Sequence, residues 1–232
     1  MTVPKNLDRD AFARAARDPF SRRKFLALTG GTGAAGAFLA ACGDDEEEDP
    51  TTSGSSTSED TGDTGGEEDP LAMFGEGDVG ILNYALTLEY LEAGFYAAVI
   101  DSGMFKGADL DLIKVIGGHE QEHVDALLAT LKMLGEEPAP EPEAQFPLDD
   151  AMTILTTAAE VENLGAAAYL GQAAAIENED ILAAALSIHT VEARHAAVLN
   201  TLIGEDPTPD GAFAVPADPA MVLEAVQPFL KS

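Results

Sequence analysis

From about residue 79 onward the chain repeats apolar positions at intervals of three and four, the period of a helix with one buried face. Four such stretches follow one another, at about residues 79–100, 110–134, 148–177 and 180–203. The first carries Leu82, Ala85, Leu86, Ala93 and Ile100; the second Leu112, Ile116, Leu127, Leu131 and Leu134. The third carries Leu148, Met152, Leu155, Ala159, Ala166 and Ile176; the fourth Ile181, Ala185, Ile188, Leu199 and Leu202. A short Gly-containing turn, 101–109, joins the first two, and about three residues near Asn178 join the last two. Short connections make antiparallel neighbours. Between the pairs lies GEEPAPEPEAQFP, residues 135–147, whose prolines block helix and favour extended chain. A segment of that length can run from one end of a bundle to the other. Further on, Asp218 followed by Pro219 is a helix start, and AMVLEAVQPFL predicts a short fifth helix.

Each apolar stripe is interrupted where a core would want leucine. Glu89 and Glu162 lie on the inner faces of the first and third helices. Glu120 with His123, and Glu192 with His195, lie on those of the second and fourth. Residues three apart share a helix face, so each pair aims a carboxylate and an imidazole at one point. Four carboxylates buried together need positive charge among them. Two cations meet that need, and hard oxygens with imidazole suit iron or manganese. The halves match in register: Tyr96 follows Glu89 by seven residues and Tyr169 follows Glu162 by seven. Glu89 precedes Glu120 by 31 residues and Glu162 precedes Glu192 by 30. The pattern is a duplicated helical hairpin about a pseudo-twofold axis.

One Glu from each of two helices and Glu-x-x-His from each of two others is the ligand set of di-iron and di-manganese carboxylate bundles. LNYALTLEYLEAGFY, residues 82–96, resembles the first helix of bacterioferritins and related proteins of the ferritin-like superfamily. The resemblance covers about residues 79–203. It implies an all-α, ferritin-like four-helix bundle, two antiparallel hairpins with a crossover, plus the short C-terminal helix. It implies Glu89, Glu120, His123, Glu162, Glu192 and His195 as metal ligands, with Glu120 and Glu192 as bridges and Tyr96 and Tyr169 close beside the site. The cofactor would be two iron or manganese ions, and the chemistry redox: oxidation of ferrous iron, or reduction of oxygen or peroxide. A storage shell is the weaker reading, because a lipid and a long tether on every chain would hinder packing. A non-catalytic surface bundle with a vestigial or structural metal site is the alternative from another class. The sequence leaves the oligomeric state open.

Several neighbours need weighing. His119-Glu120-Gln121-Glu122-His123 also spells a zinc metalloprotease helix, in which both histidines bind zinc and Glu120 is the base. The fourth helix, however, repeats Glu-x-x-His with Val191 in the first His position, and no Gly-x-x-His follows His123. His119 reads better as a neighbour of the site or a boundary residue. His189, one turn before Glu192, reads as a partner of the site or a satisfied interface histidine. Glu122 and Glu160 fall on the far side of their helices and read as solvated. Glu92 is placed to replace Glu89 as a ligand.

Charge and composition add what precedes the bundle. Of 12 basic residues, seven precede residue 42, against Asp8, Asp10 and Asp18. From residue 42 onward 39 acidic and five basic residues remain, a balance near −34. So negative a surface repels nucleic acid and anionic lipid and attracts cations. Arg22-Arg23 before the apolar run 25–41 resembles a twin-arginine export signal, and the run is too short and Gly-rich for a secure membrane span. LAAC, Leu39 to Cys42, resembles the lipoprotein cleavage box, which implies cleavage of residues 1–41 and a lipid on Cys42. Gly31, Gly33 and Gly36 spell a dinucleotide fingerprint, but inside a leader rather than a βαβ unit. With Cys42 as the one cysteine, no intramolecular disulfide and no Cys-based cluster can form. Residues 43–70 contain 12 acidic residues and no Leu, Ile, Val or Phe, the composition of a disordered, self-repelling tether. Residues 71–232 are then the bundle. The implied location is the outer face of the cytoplasmic membrane, with the membrane reached through the lipid.

Overall fold

The protein's structure, a computed structural model, describes residues 70–231. The twin-arginine pair, the LAAC box with Cys42 and the acidic stretch from residue 43 lie outside the described residues, except for Pro70 at its end.

Among the described residues the regular elements are helical: α1 (Gly77–Asp101), α2 (Ala108–Leu134), α3 (Ala151–Gln172), α4 (Glu179–Ile203), α5 (Pro219–Val226), and a closing 3₁₀ turn (Gln227–Phe229). Among the described residues the one β-type pairing is an isolated bridge between Ala144 and Leu230. α1 packs along α2 and α3 along α4, while α1 also meets α3. The molecule is therefore the two-hairpin bundle that the hydrophobic pattern predicts, with α5 resting on α3. Among the described residues no helix is long and apolar enough to cross a membrane.

The helix ends follow local chemistry. Asp150, Asn178 and Asp218 each accept hydrogen bonds from backbone N–H groups one turn into α3, α4 and α5. α2 and α4, the two Glu-x-x-His helices, end at Gly135 and Gly204, whose φ values of 80° and 87° suit a residue without a side chain. α3 is shorter than its apolar period implies. The Asp150 cap starts it after Leu148, and turn bonds from Ala173 to Leu170 and from Ala175 to Gln172 end it before Ile176. The loop between α3 and α4 is consequently six residues, 173–178. Asp78 of α1 holds it by accepting from the backbone N–H groups of Glu177 and Asn178, both at 2.9 Å. Met152, expected in the apolar stripe, is 58% exposed, and Leu134 and Leu202 are exposed also.

The core is in two parts. One contains Leu82, Leu86, Leu127, Leu131, Ile181 and Val222. The other contains Phe95, Val99, Ile113, Ile116, Ile154 and Leu199. In α2, α3 and α4 the polar interruption falls between the residues that serve the two clusters, and in α1 Glu89 and Glu92 lie at the end of the first cluster's stretch, before Phe95 of the second. The crossover, residues 135–150, pairs with the C-terminal end: Gln145 N–H donates to the Phe229 carbonyl and Lys231 N–H to that of Glu143. Asn83 also anchors it, accepting from Ala139 N–H while donating to the Phe74 carbonyl.

Candidate metal centre

Burial without repacking is what marks the centre. Glu89, Glu120, Glu162 and Glu192 are all 0% exposed, and His123 and His195 are 8% and 7% exposed. Each of the four long helices supplies at least one of them. The structure thus brings together all six residues that the sequence pattern singles out.

Their atoms form two overlapping groups. Glu89, Glu120, His123 and Glu192 make one, and Glu120, Glu162, Glu192 and His195 the other. In each group one oxygen or nitrogen per residue lies within 4.8 Å of all the rest. Glu120 and Glu192 belong to both. His123 Nδ1 is 2.9 Å from Glu120 Oε2, 3.0 Å from Glu192 Oε1 and 3.2 Å from Glu89 Oε2. His195 Nδ1 is 2.9 Å from Glu120 Oε1 and 3.0 Å from Glu162 Oε2. Glu120 therefore turns one oxygen to each histidine. Both imidazoles face the cluster through Nδ1.

The tyrosines lock the remaining carboxylates, each across the bundle. Tyr96 OH of α1 donates to Glu162 Oε1 of α3 at 2.5 Å, and Tyr169 OH of α3 donates to Glu89 Oε1 of α1 at 2.6 Å. The exchange is reciprocal, as the duplicated Glu-to-Tyr spacing requires. Burial, then the facing carboxylates, push both phenols well above their usual range, so they stay protonated donors.

Proton affinities in the cluster diverge. Burial and the nearby Glu192 push the Glu89 carboxyl up to about 8, against the pull of His123. Burial also raises Glu162, and raises Glu192 well above the usual carboxylate range with Glu120 adding to it. Burial acts the same way on Glu120, but His123 and His195, each 2.9 Å away, overcome it and hold that carboxyl down to about 2. Burial opposes charge on His195, yet the close Glu120 and Glu162 carboxylates carry it up to about 10. His123 is raised in the same way, burial being outweighed by Glu120, Glu192 and Glu89. Buried groups of like charge thus keep protons among themselves, the response expected of carboxylates gathered without a cation.

Neighbouring residues sort themselves by position. Glu92, three residues beyond Glu89, is 5% exposed, and burial followed by Glu192 pushes its carboxyl well up. It stands beside Gly165, where an added Cβ would lie 2.7 Å from Glu92 Oε1 and 3.2 Å from Glu192 Oε2. Glu92 stands in neither candidate metal group and leaves Glu89 in place. It also borders a small cavity of about 20 Å³, otherwise apolar, walled by Phe146 of the crossover and Phe229 at the C-terminal end. His119 lies outside both groups and bonds His195. His189 is a satisfied interface histidine, its Nδ1 2.9 Å from the Ala166 carbonyl. Glu122 and Glu160 are exposed. Gly165 escaped the sequence reading, although its place three residues after Glu162, matching Glu92 after Glu89, was a usable signal.

The residues could hold metal ions. Glu192 Oε2 is buried with no hydrogen-bond partner, and neither Glu120 Oε1 nor Glu192 Oε1 makes a hydrogen bond of good geometry despite the nearby imidazole nitrogens. Unpaired buried carboxylate oxygens on the two shared residues are what a bridging ligand would leave when read as protein alone. Four carboxylates balance the charge of two divalent ions, and the oxygen-rich, two-imidazole donor set suits iron or manganese.

A helical bundle with two Glu-x-x-His helices and two Glu helices around one polar core defines the class. A model of the family described as "Ferritin-like domain" matches residues 77–205, and the chain belongs to that family. Among solved structures it is similar to the crystal structure of a conserved hypothetical protein, rv2844, from Mycobacterium tuberculosis. That match has 23% identity, covers 61% of this chain and 95% of the other, and has a TM-score of 0.48. No curated protein matches the chain.

Proposed function

We propose that the bundle holds a dinuclear iron or manganese centre and carries out redox chemistry there, with dioxygen, peroxide or ferrous iron as the reactant. The observation that carries this reading is the pair of four-residue groups sharing Glu120 and Glu192. Two sites with two common carboxylates are the arrangement of bridged metal pairs. Metal ions there would supply one-electron chemistry to a bound oxidant. The chain's own residues do the rest. Glu120 and Glu192, common to both groups, would be shared by the two ions, while Glu89 with His123 would hold one and Glu162 with His195 the other. Tyr96 and Tyr169 fix Glu162 and Glu89 by hydrogen bonds that need no rearrangement. Glu92 keeps a proton next to Glu192, and the apolar clusters on both sides keep bulk water out.

Elemental analysis of the full-length protein after loading with iron or manganese tests the reading. About two ions per chain are expected, lost in a Glu120→Ala/Glu192→Ala variant, together with peroxide- or oxygen-dependent turnover. No metal under any loading condition sinks it, and one zinc per chain with peptidase activity returns the His119–His123 motif to consideration.

The same proposal places the bundle outside the cytoplasmic membrane, tethered by a lipid on Cys42. The ordered succession of Arg22-Arg23, apolar run and LAAC box supports it. A Cys42→Ala chain should leave the membrane fraction, and one that stays there rules the tether out.

A further inference from the structure

The internal repeat is imperfect beside the histidine ligands. One residue before Glu120 stands His119; one residue before Glu192 stands Val191. His119 Nδ1 is 2.9 Å from His195 Nε2, the ring nitrogen turned away from the carboxylates. The two rings are within 11° of parallel with centroids 5.1 Å apart. That centroid separation is close to the N···N distance plus two ring radii, so the rings meet edge to edge, nearly coplanar. A hydrogen bond between them runs in the ring plane, along the acceptor lone pair. Among the described residues, nothing hydrogen-bonds the matching nitrogen of His123, whose contacts all fall on Nδ1.

We propose that His119 is a positioning residue for His195, and that it makes the two metal subsites unequal, so that the subsite containing His195 binds more tightly and fills first. This rests on the dinuclear reading above. A cation facing Glu120 and Glu162 meets His195 at Nδ1, which must then offer a lone pair. The ring proton is left on Nε2, where it donates to His119 Nδ1. His119 in turn carries its proton on Nε2 and is half-buried at the edge of the bundle. The bond fixes the ring before any ion arrives and keeps the remaining proton on Nε2 once Nδ1 gives up its own to the ion. Partners of this kind strengthen metal affinity by about 10–100-fold. His123 lacks one, so its ring must be ordered by the metal itself.

Titration of the metal-free full-length chain with Mn(II), followed by the electron paramagnetic resonance of free and bound ion, reads the two steps separately. The wild type should show two steps, the first tighter. His119→Leu should weaken the first step by about 10–100-fold and leave the second in place. His119→Asn sets an amide oxygen where Nδ1 stands and should restore the first step. Val191→His supplies the missing partner to His123 and should tighten the second step; it decides the matter if His119→Leu does not fold. Equal steps in the wild type overturn this inference alone. So do equal weakening of both steps by His119→Leu, or no rescue by asparagine. Absence of any binding to the wild type overturns it together with the dinuclear reading.

Discussion

Glu89 and Glu162 hold matched positions in the two hairpins, yet three residues later one hairpin has Glu92 and the other Gly165. The mismatch is complementary: the side chain present on α1 occupies the space left empty on α3. Gly165→Ala puts a methyl 2.7 Å from Glu92 Oε1 and 3.2 Å from Glu192 Oε2, so the Glu92 carboxylate must shift towards the small cavity that it lines with Gly165. Crowding of that kind costs about 1–3 kcal/mol. The variant should lower the urea midpoint accordingly, and Glu92→Ala in the same chain should recover most of the loss. A double-mutant cycle with no coupling between the two positions would refute the steric account. The tyrosines bear on stability as well as on the site. Tyr96→Phe leaves Glu162 Oε1, and Tyr169→Phe leaves Glu89 Oε1, without its phenol donor. Each should cost about 1–3 kcal/mol in the metal-free protein, the penalty of a buried acceptor left unpaired. Equal stability of variant and wild type in chemical denaturation would mean that water replaces the hydroxyl.

At the scale of elements, what was legible in the sequence is what depends on local periodicity. The four long helices, the crossover, the fifth helix behind Asp218-Pro219 and the inward faces of the six cluster residues all follow from residues within a turn or two of each other. What escaped depends on partners distant in the chain. The apolar period of 148–177 continues past both ends of α3, because Ile176 is buried and Leu148 partly buried without being helical. Buried loop residues and buried helix residues look alike in one dimension. The lock between α1 and the α3–α4 loop was equally invisible, since Asp78 and Asn178 are 100 residues apart. Asp78 can be tested directly. Asp78→Ala removes acceptors for two backbone N–H groups, and about 1–2 kcal/mol should go with them. Hydrogen exchange at Glu177 and Asn178 should quicken well before the rest of α4; exchange unchanged there would show that the loop is held by other contacts.

For the molecule as a whole, the centre divides the core in two, and its charge state couples to the stability of both halves. In the metal-free protein His195 holds its proton up to about 10, above the ordinary histidine value of 6.5, and Glu89 up to about 8, above 4.5. Both shifts are upward, so over these ranges the folded state holds more protons than the unfolded one. The stability supplied by His195 is complete below pH 6.5 and is lost as pH rises towards 10; that from Glu89 is complete below 4.5 and lost by about 8. With cations bound, the ligand atoms hold metal instead of protons, and binding releases those protons, so affinity grows with pH. The two states should therefore diverge as pH increases from 6 to 8. Chelator-treated protein should lose stability, while protein at one fixed free Mn(II) concentration, a hundredfold above the dissociation constant at pH 6, gains about 2.7 kcal/mol per site over the metal-free value there and more as pH rises. Denaturation curves of both forms at several pH values measure the gap. A gap that stays constant across that window would mean that the cluster exchanges no protons for metal, and the buried carboxylates and imidazoles would then need another source of neutralising charge.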